Sequence, residues 1–299
     1  MKNLQTLVET LQEASISESS KKCYESGIKQ FLACGGQIPC KPEMLANYLA
    51  QLSTTHKWAT IQLRAAAIHY AHTRDDFESP AQSALVKKVM HGIRRTVTSG
   101  QRRVRALMKD ELVATLTLAR QQQPRKAARD LALLLIAWSG AFRRSELVAI
   151  HFEHLSWCSD GLEVYIPKSK TDQHGEGRTV FIPQATGAFC PIAALKTWLT
   201  VSKTESGAVF RAVTRYDTVS RKALCGHSVA LIVKEAVWRL KGAEAAQYSG
   251  HSTRAGFVTS AVVAGVPVAE IASVTGHKSQ TVLAKYVRLG NQRRIKSLL

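Results

Sequence analysis

The sequence predicts a mainly α-helical protein with two domains and one small β-hairpin in the second domain. The chain has 299 residues, which is long enough to form two separate hydrophobic cores. Apolar residues recur at helical spacing along most of it, whereas alternation of apolar and polar residues is confined to one stretch between residues 162 and 182. A hydrophobic content of 45% and a charged content of 21% are those of a globular protein.

The first domain is expected over residues 1–93 and consists of four short helices. The segment Ser17–Ser20 offers N-cap residues for the second of them. Taken alone, this segment fits a generic helical bundle as well as a helical core-binding domain that contacts DNA. The positions that define the four helices are Leu4, Leu7, Val8 and Leu11; Cys23, Ile28, Phe31 and Leu32; residues 44–52; and residues 59–72.

A basic linker is expected over residues 94–106. The stretch between Pro80 and Met108 contains seven lysines and arginines and no acidic residue, and its middle part, residues 96–101, is turn-prone. Basic residues at a domain junction fit a segment that follows a phosphate backbone, although a solvated basic face is the simpler alternative. The candidate DNA contacts in this stretch are Lys87, Lys88, Arg94, Arg95, Arg102, Arg103 and Arg105.

The second domain is expected over residues 107–299. A helix begins at Lys109, a buried helix covers Leu131–Trp138, and Gly140 interrupts it before a further helix from about Arg144. The alternating segments around 162–166 and 180–182 form a β-hairpin with a long basic tip that includes Lys168 and Lys170. Helices are expected again over residues 192–201, 228–240, 251–264, 268–274 and 280–288.

The net charge points to a polyanionic partner. A formal charge of +19 would repel itself without one. Nucleic acid is the first candidate, because neutralised phosphates release counterions and drive binding. A membrane surface is the alternative, but no basic amphipathic helix is evident in the sequence, and the longest apolar run, Leu131–Trp138, is too short to span a bilayer. We therefore expect double-stranded DNA and no membrane as partner.

Cysteine usage and the N-terminus predict a reduced, intracellular protein. The six cysteines include no Cys-x-x-Cys pair, and the segment Met1–Gln5 lacks the apolar character of a signal peptide. We expect no disulfide, no metal site and no cofactor, and a cytoplasmic location in association with DNA.

A small set of side chains suits the binding and cleavage of a phosphodiester. Arg143 follows the helix break, and His251 and Arg254 are three residues apart, so that they share a helix face. His277 follows Gly276, and Tyr286 comes nine residues later. A guanidinium group pairs with two phosphate oxygens and stays charged, while a phenol can act as nucleophile.

The order Arg143, His251-x-x-Arg254, Gly276-His277 and Tyr286 resembles the tyrosine recombinase (phage integrase) family, which includes Cre- and Xer-like recombinases. The resemblance covers residues 107–290 well and residues 1–100 more loosely, and it implies a two-domain DNA clamp. It implies that Tyr286 is the nucleophile and that Arg143 and Arg254 hold the phosphate. The other roles implied are a brace for Glu146, proton handling for His251, hydrogen bonding for His277, and general acid for Lys170 with Lys168 in reserve.

The resemblance also implies a reaction cycle and an assembly. The cycle uses neither metal nor ATP, passes through a 3′-phosphotyrosyl link and a Holliday junction, and acts on DNA recombination sites. The assembly is a homo-oligomer, a tetramer on DNA. A tail over residues 290–299, with Ile295 and Leu298 as anchors, would dock into a neighbouring protomer.

Two other functions remain open from the sequence. A type IB topoisomerase would use the same chemistry without strand exchange. A non-catalytic regulator would use residues 268–276 and 279–282 as a helix-turn-helix DNA reader, which leaves Arg143 and the His251-x-x-Arg254 pair without a role. The recognition sequence, its spacer length and the biological role are not fixed by the residues.

Overall fold

The computed structural model describes residues 6–7, 10–11, 15–97, 104–169, 176–277 and 283–284. The chain forms two compact units, Met1–Arg103 and Val104–Leu299. Helices predominate, and the strands form two small antiparallel sheets, which confirms the predicted fold class. No helix in the described part of the chain is long and apolar enough to cross a membrane.

The first unit is a helical bundle. Helix α1 begins after Ser17, whose hydroxyl oxygen accepts the backbone N–H of Ser20 at 3.3 Å. The rings of Phe31 and Tyr48 pack edge to face in the core, with centroids 5.0 Å apart. The helices are α1 (Glu18–Ala33), α2 (Pro42–Ser53), α3 (Trp58–Arg74) and α4 (Ala84–Thr96).

Helix α4 corrects the interpretation of the basic stretch. No basic amphipathic helix was predicted from the sequence, and a linker was predicted over residues 94–106, but residues 84–96 form a helix that begins at the N-cap Ser83. Val86 and Ile93 are buried in the core of the first unit. Lysine and arginine side chains cover the opposite, exposed face, so the expected linker begins inside a helix. We call these exposed cations the α4 stripe: Lys87, Lys88, Arg94 and Arg95.

The second unit contains seven further helices among its described residues. Two of them begin with proline, at Pro124 and Pro191, where its missing N–H costs no hydrogen bond. One apolar core joins the helices between residues 109 and 241 to the larger sheet, and Val258, Val262 and Ile271 form a second, smaller cluster. The helices are α5 (Lys109–Ala119), α6 (Pro124–Ser139), α7 (Arg144–Val148), α8 (Pro191–Ser202), α9 (Gly226–Lys241), α10 (Ser252–Val263) and α11 (Val268–Thr275).

The predicted hairpin is present and has a third strand beside it. Strands β2 (Gly161–Ile166) and β3 (Arg178–Pro183) pair antiparallel, with Ile166 opposite Arg178, and β1 (Leu155–Trp157) pairs with β2. Inward residues alternate along β3, where Val180 and Ile182 are buried. A second sheet, which was not predicted from the sequence, consists of β4 (Arg211–Val213) paired with β5 (Val219–Ala223).

The predicted helix break lies between α6 and α7. Gly140 follows the last residue of α6, and Ala141 adopts a left-handed backbone with φ 48°. The N–H groups of Ala141 and Phe142 donate to the carbonyl oxygens of Trp138 and Ala137 at 3.1 and 3.2 Å, which closes the helix end. A left-handed alanine costs about 1–2 kcal/mol, so tertiary contacts must hold it.

An extended strap, residues 105–107, lies against the beginning of α10. The N–H groups of Arg105 and Leu107 donate to the carbonyl oxygens of Gln247 and Ser252, both at 2.9 Å. The carbonyl oxygen of Leu107 accepts from Trp138 Nε1 at 3.0 Å. A Cβ on Gly256 would overlap that carbonyl group, so only glycine permits the strap to approach the helix so closely.

Candidate active site

Arg143 is held at the helix break by a carboxylate. It is the N-cap residue of α7, and its backbone N–H donates to Glu146 Oε2 at 3.0 Å while its Nη1 donates to Oε1 at 2.6 Å. Burial alone would raise the pKa of Glu146, but the hydrogen bonds from Arg143 and the charges of Arg143 and Arg178 outweigh it and lower that pKa. The carboxylate therefore stays charged and fixes one face of the Arg143 guanidinium.

Arg254 is almost fully buried, with 2% of its surface exposed. It lies in the first turn of α10, and its Nη1 and Nη2 donate to the carbonyl oxygens of Ala141 and Thr275 at 2.6 and 2.7 Å. Its guanidinium thus supports the left-handed alanine at the helix break and the last residue of α11. These bonds hold the guanidinium rigidly between the two segments that carry Arg143 and His277.

His251 occupies the N-cap position of α10. Its ring is exposed at the surface on one side; loss of solvent on the other side, followed by the charges of Arg254, Arg143 and Arg144, lowers its pKa. The N-terminus of a helix carries partial positive charge and favours anions. A neutral imidazole at this place can accept a proton while the helix end attracts a phosphate.

His277 follows a left-handed glycine at the end of α11. Gly276 has φ 64°, which turns the chain so that the His277 ring reaches Arg254 Nη2, 3.2 Å from Nε2. Burial of the ring and then the charges of Arg254, Arg143, His251 and Arg178 lower the pKa of His277 to about 4. The ring is therefore neutral at pH 7 and carries one proton.

Two proton arrangements fit the 2.7 Å contact between Thr275 Oγ1 and His277 Nδ1. If the hydroxyl donates to the Ile271 carbonyl oxygen, also at 2.7 Å, Nδ1 keeps the ring proton and Nε2 accepts from Arg254. If the hydroxyl donates to Nδ1, Nε2 carries the proton instead. In the second arrangement His277 is a donor for a bound anion.

Arg178 belongs to the site, although the sequence analysis did not single it out. Its Nη2 donates to Glu146 Oε2 at 3.2 Å and its Nη1 donates to the Val274 carbonyl oxygen at 2.7 Å. A sequence signal was available, because the alternation along β3 puts Arg178 on the same face as the buried Val180 and Ile182. An arginine on the core face of a strand needs a partner.

The assembled cluster has an excess of positive charge. Three guanidinium groups converge, and Glu146 is the carboxylate bonded to two of them among the described residues. Two neutral histidines and the N-terminus of α10 complete the cluster. Such an arrangement stabilises an oxyanion that accepts hydrogen bonds from two groups, because the donors of the cluster are fixed before the anion binds.

The remaining candidate residues lie elsewhere or outside the described part. Lys168 is exposed two residues beyond β2, and the α4 stripe lies in the first unit. Arg105 pairs with Glu111 and Glu244 at 3.3 and 3.0 Å, so its charge is engaged within the protein. Outside the described residues lie Tyr286, Lys170, Arg102, Arg103 and the tail residues Ile295 and Leu298.

A helical scaffold that brings arginines and histidines together at one place is what this chain can be compared by. The phage integrase family model matches residues 105–293. The integrase/recombinase XerD homolog of Selenomonas ruminantium is 35% identical over 258 residues, which cover 85% of this chain and 75% of the relative. The Cre recombinase of Escherichia phage P1 is 24% identical over 268 residues, which cover 84% and 77%.

A solved structure shares the fold. A lambda integrase tetramer bound to a Holliday junction superposes with a TM-score of 0.65 at 18% identity, and the match covers 95% of this chain and 75% of that chain. The chain belongs to the phage integrase family and is a site-specific tyrosine recombinase.

Proposed function

We propose that this recombinase cleaves DNA by attack of Tyr286 on a phosphodiester held by Arg143 and Arg254. The observation that carries the proposal is the convergence of both guanidinium groups with His251 and His277 at one place. Arginine forks pair with the non-bridging oxygens, and the charge that develops in the transition state is met by donors already in position. The 3′-phosphotyrosyl link conserves the energy of the broken phosphodiester bond, so rejoining needs no external energy source.

The neutral histidines suit proton transfer and hydrogen bonding. The lowered pKa of His251 keeps its ring neutral at neutral pH, so that it can take a proton from the attacking phenol. His277 with its proton on Nε2 donates to one phosphate oxygen, and Arg254 donates to the second oxygen from its fixed position. Lys170, or Lys168 in reserve, protonates the departing 5′-oxygen from the hairpin.

The substrate and assembly follow from the family and the charge. Two DNA sites must be brought together for exchange, and we propose a homotetramer that works through a Holliday junction. The lambda integrase that shares this fold is a tetramer on such a junction. The net charge of +19 supports a DNA partner, since a polyanion neutralises it.

Covalent cleavage is expected to proceed in EDTA and without nucleotide. Arg143 and Arg254 supply the positive charge that a metal ion supplies in other phosphoryl-transfer enzymes. The measurement is the yield of covalent protein–DNA adduct on a nicked suicide substrate, resolved by denaturing electrophoresis, with EDTA and with added Mg²⁺. A strict Mg²⁺ requirement for adduct formation would refute the proposed mechanism.

The α4 stripe is expected to contact DNA phosphates. Its four cations lie at positions i, i+1, i+7 and i+8 of one helix, so they form a single strip about 100° to 120° wide. We expect Arg94→Glu to weaken binding and to reduce the slope of log K against log salt by about one. The measurement is DNA affinity from about 50 to 300 mM salt.

Arg74→Glu is the matched control for the α4 stripe. Arg74 is exposed in the same unit and already pairs with Asp75 at 2.7 Å, so its reversal changes the net charge equally outside the stripe. An equal loss of salt dependence in both variants would show that overall charge, rather than the α4 stripe, determines binding.

A further inference from the structure

The side chain of Arg178 connects three parts of the site that lie far apart in the sequence. It begins strand β3, directly after the hairpin tip, and reaches Glu146 on α7 and the Val274 carbonyl oxygen at the end of α11. The two bonds use different guanidinium nitrogens, so one rigid plane spans both partners. The hairpin that carries the lysine candidates is thereby tied to both phosphate-binding segments.

The environment of Arg178 disfavours its charge, because desolvation lowers the pKa of the guanidinium. Its Nε is buried without a hydrogen-bond partner among the described residues, although a buried donor normally has one. A Cβ on Gly276 would lie 3.0 Å from that nitrogen, so the glycine turn packs directly on the guanidinium. The side chain is partly buried, with 19% of its surface exposed, and a donor without a partner at such a place is costly.

We propose that Arg178 is a positioning residue that sets the geometry of the phosphate-binding cluster through Glu146 and through the Val274–His277 turn. This inference rests on the proposed function. Arg178 shares the Glu146 carboxylate with Arg143, and therefore fixes the carboxylate oxygens that orient the Arg143 guanidinium. Its bond to Val274 fixes the turn that aims the His277 ring at Arg254.

Kinetics at saturating DNA separate positioning from binding. We expect Arg178→Met to lower the single-turnover cleavage rate by about 100-fold, as a displaced catalytic group does, with DNA affinity unchanged within about threefold. Glu146 keeps its bonds to Arg143, so the melting temperature should fall by at most a few degrees. Arg221→Met is the matched control, because Arg221 is exposed on β5 and carries the same charge.

A double-mutant cycle tests whether Arg178 acts on the cleavage rate through Glu146. Arg178→Met combined with Glu146→Gln should cleave no more than about threefold more slowly than the slower single variant, since both changes disrupt one unit. Arg178→Lys keeps a charge but cannot bridge Glu146 and Val274 together, and should cleave about tenfold more slowly than wild type. Three results would each overturn the inference. The rate losses of the two single variants could multiply in the double variant, Arg178→Lys could cleave as fast as wild type, or Arg178→Met could lose as much DNA affinity as cleavage rate.

The pKa of His277 gives a readout that does not depend on cleavage. The charged and titratable groups that act on its ring are Arg254, Arg143, His251 and Arg178, and Glu146 is hydrogen-bonded to Arg178. Loss of the Arg178 charge should raise the pKa of His277 only slightly from about 4, because burial and the charges of Arg254, Arg143 and His251 lower that pKa more, while Arg178→Lys should leave it unchanged. NMR titration measures it, with the signal assigned by His277→Gln.

The two proposals fail in different ways. If wild-type protein forms no adduct, the proposed function fails, whereas an Arg178→Met variant that cleaves as fast as wild type overturns the positioning role. If Arg178→Met does not fold, the Arg178→Lys variant provides the kinetic test.

Discussion

Tyr286→Phe is expected to abolish covalent protein–DNA adducts on a nicked suicide substrate while DNA affinity stays near wild type. The substitution removes one oxygen atom, which is the proposed nucleophile, and leaves the ring and its packing. Without it the bound phosphate has no attacking group, so the loss of adduct should be complete within detection. Adduct yield is measured by denaturing electrophoresis, and affinity by titration of an uncleavable duplex.

Other tyrosines provide the controls for this result. Tyr216 is 73% exposed on the turn between β4 and β5, so Tyr216→Phe should leave the adduct unchanged. Tyr248 lies three residues before His251, but burial and the charge of Glu111 raise its pKa to about 12, which makes its phenol a poor nucleophile. An adduct that persists in Tyr286→Phe would overturn the assignment.

Arg254→Ala is expected to reduce the single-turnover cleavage rate by about 100- to 1000-fold, which corresponds to roughly 3–4 kcal/mol of transition-state stabilisation. The same change leaves the carbonyl oxygens of Ala141 and Thr275 without their donor, so it should also lower the melting temperature. Arg254→Lys should restore little of the rate, because an ammonium group cannot replace the planar fork.

Arg120→Ala is the matched control for Arg254→Ala. Arg120 also donates to a carbonyl oxygen, that of Ala188 at 2.5 Å, but it is exposed and not part of the cluster. The substitution Arg120→Ala removes the same charge and a similar hydrogen bond, and it should leave the cleavage rate near that of wild type. If Arg254→Ala cleaves within about tenfold of wild type, Arg254 does not hold the phosphate.

The sequence predicted those elements whose local pattern determines their structure. Gly140 at the end of a long apolar run marked the helix break, and alternation marked the hairpin between residues 161 and 183. The three-residue strand β4 was missed because so short a segment shows too little alternation. Helix α4 was missed because its many cations concealed an apolar stripe that includes Val86 and Ile93.

The candidate site could be predicted only for those residues whose order and spacing along the chain form a motif. Arg143, His251, Arg254 and His277 were selected by their spacing, and the structure brings these four together. The pKa of His277 depends on charges that only folding gathers around its ring. The role of Arg178 depends on the register that puts it opposite Ile166, and no single motif contains both of its partners. The role of Tyr286 stays a prediction.

The strap over residues 105–107 restricts where the second unit can be joined to a different N-terminal unit. Its hydrogen bonds to Gln247 and Ser252 make it a structural part of the helix that carries His251 and Arg254, even though it is the first segment after the boundary between the two units. A chimaera joined downstream of Leu107 would lose the hydrogen bonds of the strap and would expose the surface of α10 at Gly256. Exchange of the N-terminal unit therefore requires a junction ahead of Val104, so that the whole strap travels with the catalytic unit.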